Sequence, residues 1–362
     1  MQQPIQAQPI QEIELLLVED SETQLKNYHD AIDNFHETDL GQLYQFRTEI
    51  AKNLSEALDK LAKKDFDFAF VDLKLESSSE QLEGNTITTL ILDKFRFPVF
   101  IISGHIGDID PELQENMNIF FQAREKGSVD IYQLLKETID IYKTGVTKIL
   151  KRNGKVEEYL NRIFREHLIH SMDYWISLTK ENKINPYDAV LRHILAHMQE
   201  YLEVSENGFF ENYHAPEFYI VKPIKQSDLT VFTGDVIMDT TEKKYYLIIT
   251  PTCDLATGVD REGKPRIPKA KYITLLEINT KSTIDFDAKG NKRVSTHYLP
   301  PLKDIFEGGL VEFQLLKSET LENVLDTKKY NIKFSISSAF KKDIVARFSN
   351  YYSRQGQPAL IG

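Results

Sequence analysis

Four short apolar runs in the first 130 residues each end in side chains that carry charge or a hydroxyl. Ile13–Val18 runs into Glu19 and Asp20, and Phe66–Val71 into Asp72. Phe97–Ile102 leads to Ser103-Gly104-His105, and a run over residues 118–123 leads to Lys126-Gly127. Carboxylates suit a hard cation, while a hydroxyl and an ammonium suit an anionic oxygen. The runs are too short for helices and too dense in aromatic and β-branched residues for a surface strand. They read as buried strands of a parallel sheet. Open α/β sheets bind ligands outside the carboxyl ends of their strands, which is where all these polar groups fall.

The intervening segments must supply helices to cover such a sheet. Ser21 is a good N-cap for a helix over 21–31, and 55–64, 86–95 and 129–142 follow helical spacing. Pro111 opens a short helix, and 40–48 reads as an edge strand. Alternating strands and helices predict a doubly wound parallel sheet of five strands.

With these elements in place, LLVED (residues 16–20), FAFVDL (68–73), PVFIISG (98–104) and REKG (124–127) resemble the receiver domain of two-component response regulators over residues 11–145. The resemblance implies a flavodoxin-like fold and a phosphoacceptor at Asp72. It implies Mg²⁺ held by Glu19, Asp20, Asp72 and the backbone carbonyl of Lys74, with Ser103 and Lys126 on the phosphoryl oxygens. It also implies a histidine kinase or phosphotransfer protein as partner. Departures are a Ser-rich stretch after Asp72 and Ala123 where the family often has an aromatic. In these the chain is similar to divergent receivers of bacterial conflict and phage-defence systems.

Composition bounds the rest. The 362 residues allow two or three domains, with 41% hydrophobic and 27% charged residues, as in soluble globular chains. No apolar run is long enough to span a membrane, and the first ten residues lack a secretory pattern and read as a disordered tail. Cys253 is the single cysteine, so no intrachain disulfide forms and the cytoplasm is the expected compartment. Residues 1–150 carry a net −13 and residues 151–362 a net +2. With no helix-turn-helix pattern, sequence-specific DNA binding is not expected.

Residues 146–215 read as a helical connector that continues the last receiver helix, with two runs of helical spacing broken at Asn185-Pro186. His193 and His197 are four apart on it, but no HExxH pattern accompanies them. Arg192 and His197 fit an Arg-x4-His spacing that resembles a family of helical, metal-independent ribonucleases. From 216 onward the pattern turns β-like, predicting a small barrel or curled sheet closed by a helix over 337–352. There Thr-Pro-Thr-Cys-Asp (250–254) places Cys253 in a loop, where a nucleophile would need His214 or His297 as base. That region loosely resembles the small barrel of endoribonuclease toxins.

The sequence therefore predicts a cytoplasmic signalling protein. Its receiver takes a phosphoryl group at Asp72 and controls a C-terminal output domain (216–362) that engages a protein partner. A homodimer is compatible with this reading. The alternative is a phosphorylation-controlled ribonuclease using Arg192, His197 or Cys253.

Overall fold

A computed structural model describes residues 9–75, 82–180, 186–203, 208, 212–221, 230–259, 264–280 and 294–354. The chain divides into two compact units, residues 1–210 and 211–362.

The first unit is built on β1 (Gln11–Val18), β2 (Tyr44–Ala51), β3 (Phe68–Val71), β4 (Val99–Ser103) and β5 (Phe121–Glu125). All pair in parallel in the order β2-β1-β3-β4-β5. That order is the doubly wound 2-1-3-4-5 arrangement. β3 and β4 are buried at every residue, which explains their unbroken apolar sequence. One face is filled by Leu16, Val71, Ile87 and Ile101, the other by Leu15, Phe70, Phe100 and Leu135. Their helices are α1 (Glu22–His36), α3 (Leu54–Lys63), α4 (Glu83–Lys94), the short α5 (Pro111–Glu115) and α6 (Ile131–Lys143). Ser21 caps α1 through the Gln24 N–H, and Asn53 caps α3 through the Glu56 N–H.

Two sequence expectations are corrected here. The edge strand expected over 40–48 begins only at Tyr44, because Thr38 caps a short helix, α2 (Asp39–Leu43), by accepting from the Gly41 N–H. The connector does not continue α6. Gly145, at φ +76°, ends that helix, and α7 (Val146–Leu150) is followed by a turn with Asn153 at φ +59°. The turn is bound to the amino ends of the strands: Lys151 meets buried Asp67 at 3.2 Å and Arg152 meets Asp65 at 2.9 Å.

Beyond it, α8 (Lys155–Ile163) passes through one π-helical turn (Phe164–Leu168) into α9 (Ile169–Lys180), and α10 (Pro186–Glu203) packs back against them. The rings of Tyr159 and Tyr201, His167 and His197, and Trp175 and His193 pair in that order, so the hairpin is antiparallel.

The second unit is a seven-stranded sheet, mainly β as expected. Its strands are β6 (Tyr219–Val221), β7 (Asp235–Asp239), β8 (Tyr245–Ile248), β11 (Tyr272–Asn279), β12 (Thr296–Leu299), β13 (Gly309–Thr320) and β14 (Tyr330–Ile336). Their order is β12-β13-β11-β8-β7-β14-β6, and every pair is antiparallel. The sheet curls, since Tyr219 on one edge strand donates to the Pro300 carbonyl, just past the other, at 2.6 Å. The helix α13 (Ser338–Ser353) packs Phe340 onto Phe218 at 4.0 Å. A short helix α11 (Thr252–Leu255), a two-residue ribbon β9 (Gly258–Val259) with β10 (Pro265–Arg266), and α12 (Leu321–Leu325) complete the unit. Residues 230–232, β-like in sequence as Thr-Val-Phe, form no strand: the Asp235 carboxylate takes the Phe232 N–H into a turn at 2.7 Å. The DAKGNK stretch over 287–292, whose composition suits a hairpin turn, and most of the N-terminal tail lie outside the described residues.

The hairpin interior generates a prediction. His167 stacks on His197 at 4.0 Å, and His193 meets His197 edge-on at 4.5 Å. Burial, then the neighbouring His197 and His167, lower the His193 pKa below its ordinary 6.5. A depressed histidine favours its neutral form in the fold. Its contribution is therefore present above about 6.5 and is lost as pH falls through the lower folded value. Trp175, the single tryptophan, sits 5.6 Å from His193. Its fluorescence should change on acidification, and His193→Gln should remove that transition.

Candidate functional site

The site forms where strands β1, β3, β4 and β5 end together. Glu19 and Asp20 follow β1, Asp72 follows β3, Ser103 closes β4, and Lys126 follows β5. Asp72 is held by its backbone N–H on the Val18 carbonyl at 2.9 Å, and Lys126 by its N–H on the Ser103 carbonyl at 3.1 Å. These bonds extend the parallel ladders by one step and fix the polar residues in register.

The Lys126 ammonium lies between two buried carboxylates. Its Nζ is 2.7 Å from Asp72 Oδ2 and 2.7 Å from Glu19 Oε2. Glu19 Oε1 accepts from the Ser21 N–H at 3.0 Å, while buried Oε2 has no aligned hydrogen bond, only the ammonium. Burial raises the Glu19 pKa, against the pull of Lys126 and the Ser21 N–H. Burial alone would lower the Lys126 pKa, but Asp72 and Glu19 outweigh it and the net shift is upward.

The remaining expected residues frame this pair. Asp20 is half-buried at the end of β1 and within electrostatic reach of Lys52, which bonds Glu22. The Lys74 N–H points at Asp72 Oδ1 from 3.5 Å. Ser103 is fully buried, and its Oγ accepts from the His105 N–H at 3.2 Å. The sequence had assigned Lys126 to phosphoryl oxygens; here its ammonium is bound to the carboxylates.

Two supporting residues escaped sequence reasoning. A Cβ on Gly84, in the first turn of α4, would lie 2.3 Å from the Asp72 carbonyl oxygen. Only glycine lets α4 approach the Asp72 backbone so closely. Asn85 beside it is buried and donates to the Asp108 carbonyl at 3.1 Å and to Asp110 Oδ1 at 3.0 Å. It thereby fastens the loop after β4. The glycine in the EGN triplet was a usable signal; Asn85 had none, because its partners lie 23 and 25 residues away.

Among the described residues, no group of three or more His, Cys, Asp or Glu side chains is arranged as a metal cage. A magnesium ion needs only one or two carboxylates, with water and phosphate oxygens completing its shell. The buried Glu19 Oε2, without an aligned donor, and the adjacent Asp72 fit that demand.

The alternative catalytic residues are not brought together. Arg192 and His197 are five apart, which is about 140° around a helix. Arg192 is exposed, whereas His197 faces α8 and α9 and its Nδ1 lies 3.3 Å from Glu200. Cys253 is exposed with Sγ 3.8 Å from Asp254 Oδ1, and its carbonyl accepts from Arg266 at 2.7 Å. His297 is engaged elsewhere, 3.0 Å from Asp343 and 2.9 Å from the Tyr298 carbonyl. The His214 N–H donates to Glu217.

No protein-family model matches the chain, and no curated protein matches it. Similar solved structures include the N-terminal domain of a response regulator/sensory box/GGDEF 3-domain protein from Carboxydothermus hydrogenoformans. It is 20% identical over 37% of this chain and 98% of that one, with a TM-score of 0.29. A CheY-like response regulator receiver domain from Methylobacillus flagellatus is 18% identical over 36% and 99%, with a TM-score of 0.27. The receiver domain of a sensor histidine kinase from Pseudomonas aeruginosa PAO1, described with magnesium in its active site cleft, is 19% identical over 36% and 96%, at 0.28. At such scores these likenesses carry no weight, and the fold assignment rests on the strand order.

The glycines at the site yield a contrast. Gly84→Ala should lower stability by about 2 kcal/mol, since a Cβ against backbone cannot be relieved by a rotamer change. Gly104→Ala and Gly127→Ala should be close to neutral, because a Cβ at either position meets nothing within 4 Å. Urea denaturation of the three variants checks this.

Proposed function

We propose that the first unit is a phosphoacceptor receiver and that Asp72 takes the phosphoryl group. The observation that carries this is the Lys126 ammonium held at 2.7 Å from both Asp72 and Glu19 at the ligand-binding edge of a 2-1-3-4-5 sheet. An Asp72 oxygen bonds to phosphorus as the phosphorus–nitrogen bond of a phosphohistidine donor breaks, and the donor's imidazole leaves. The donor is a histidine kinase or phosphotransfer protein. Asp72 then changes from a carboxylate to an acyl phosphate of up to about two negative charges, a net gain of about one.

The chain's own residues account for how that charge is received. Lys126 already faces Asp72 and can follow a phosphoryl oxygen as a point charge. Ser103, at the neighbouring strand end, offers a hydroxyl. Glu19, with Asp20 beside it, would hold Mg²⁺ together with Asp72 and the Lys74 carbonyl, and the ion would neutralise charge on the transferring group. The second unit is then the output, engaging a protein partner. Ala123 in place of an aromatic sets the chain beside divergent receivers of bacterial conflict systems. A cytoplasmic setting suits a kinase partner, and no described helix is long and apolar enough to cross a membrane.

Titration with Mg²⁺ and beryllofluoride tests this reading. Wild type should bind Mg²⁺ weakly alone and at least tenfold more tightly with beryllofluoride. Asp72→Asn should abolish the enhancement, and Asp20→Ala should weaken Mg²⁺ binding. Equal behaviour of wild type and Asp72→Asn would remove the phosphoacceptor.

A further inference from the structure

The helical hairpin is amphipathic in an unusual sense. Its inner faces carry His167, Ser171, Trp175, His193, His197 and Tyr201, and no residue of α9 or α10 is buried. Six large apolar side chains stand to one side, while Tyr174 and Ile169 of α9 are exposed elsewhere on that helix. Met172 and Ile176 on α9 are 41% and 44% exposed; Leu191, Leu195 and Leu202 on α10 are 45%, 55% and 58% exposed, and Tyr187 is 75% exposed.

Helix geometry places both stripes on one surface of the hairpin. Met172 and Ile176 each follow an inward residue, Ser171 and Trp175, by one position, or 100°. Leu202 follows inward Tyr201 by the same step, and Leu191 and Leu195 lie within about 20° of Leu202 around the helix. In antiparallel helices that face each other, equal rotations of this kind lead to the same side. With aliphatic side chains of roughly 150 Å² and one tyrosine near 200 Å², these exposed fractions give on the order of 500 Å², more than half of the ~800 Å² per partner in a standard stable interface.

We propose that this surface pairs with the same surface of a second copy of the chain, forming a four-helix bundle with two-fold symmetry. Two antiparallel helices with an apolar stripe on each are half of such a bundle, and the missing half has the same chemistry. None of the six side chains carries a charge, so the surface is complementary to itself, as an isologous contact requires. The π-helical turn suits this arrangement, since it presents His167 inward while α9 keeps Met172 and Ile176 outward.

Light scattering of the full chain at micromolar concentration should give twice 41.9 kDa. Leu191→Asp combined with Leu195→Asp should return a single-chain mass with unchanged far-UV circular dichroism, and so should Met172→Asp on the other helix. A wild type of single-chain mass, or a dimer that survives these substitutions, overturns the proposal. Hydrogen exchange on wild type gives a reading independent of the variants. Protection over residues 186–203 should rise with protein concentration, and protection independent of concentration overturns the bundle.

Discussion

One ammonium between two buried carboxylates sets the terms for the first unit. Lys126 must reach past β4 to touch Asp72 on β3 and Glu19 on β1. Strands lie roughly 5 Å apart, so β3 and β1 are farther from β5 than a lysine stem reaches alone, and the two carboxylates meet its ammonium across a strand that ends in the small Ser103. The pair Glu19–Asp72 keeps one excess negative charge after Lys126 is counted. Added cation is therefore welcome in this pocket, while an added dianion without one meets repulsion. Removing the lysine would strand two carboxylates in a low-dielectric edge, a loss of the order of 3 kcal/mol for a buried pair. Because Lys126 remains about a fifth exposed, the actual cost lies below that.

The same sheet holds a second charged arrangement at its other end. Asp67 is buried at the start of β3, accepts from the Glu14 N–H at 3.0 Å and pairs with Lys151. Tyr142 donates to the Glu12 carbonyl at 3.0 Å, and Arg152 reaches the Leu61 carbonyl at 3.3 Å. The connector thus grips the amino ends of the strands, whereas the candidate phosphoacceptor sits at their carboxyl ends. A change at Asp72 has to travel the length of β3 or α6 to reach α8. The breaks at Gly145 and Asn153 mean that it cannot arrive as motion of one continuous helix.

Much of this was legible because it is local. Apolar runs such as Val99–Ile102 declared the strands, Ser21 declared a helix start, and the polar residue after each run declared the ligand edge. What stayed hidden depends on distance along the chain. Nothing near Lys126 says that its ammonium binds Glu19, more than a hundred residues away. Nothing in 330–336 separates a strand from mixed structure until β7 and β6 flank it. Spacing also misled where its period was wrong. Arg192 and His197 look paired in sequence, yet five residues on a helix part them.

The hairpin shows why residue type and position must be read together. Its inner contact is made of imidazoles, a phenol and an indole, with Arg162 lying 4.6 Å over the Tyr201 ring and Glu166 accepting from Tyr201 at 2.9 Å. Such a contact is weakened by acid, because burial among its neighbours disfavours the charged form of His193. The outer surface is Leu, Ile and Met, whose burial depends on water rather than on pH. The two contacts therefore answer to different conditions. Acid would loosen the fold of each hairpin from inside, while the apolar surface would still favour association. Helices α9 and α10 bury no residue of their own, so the inner contact alone holds them weakly. Their order depends on whatever covers the apolar side, which makes this segment the least self-sufficient part of the first unit.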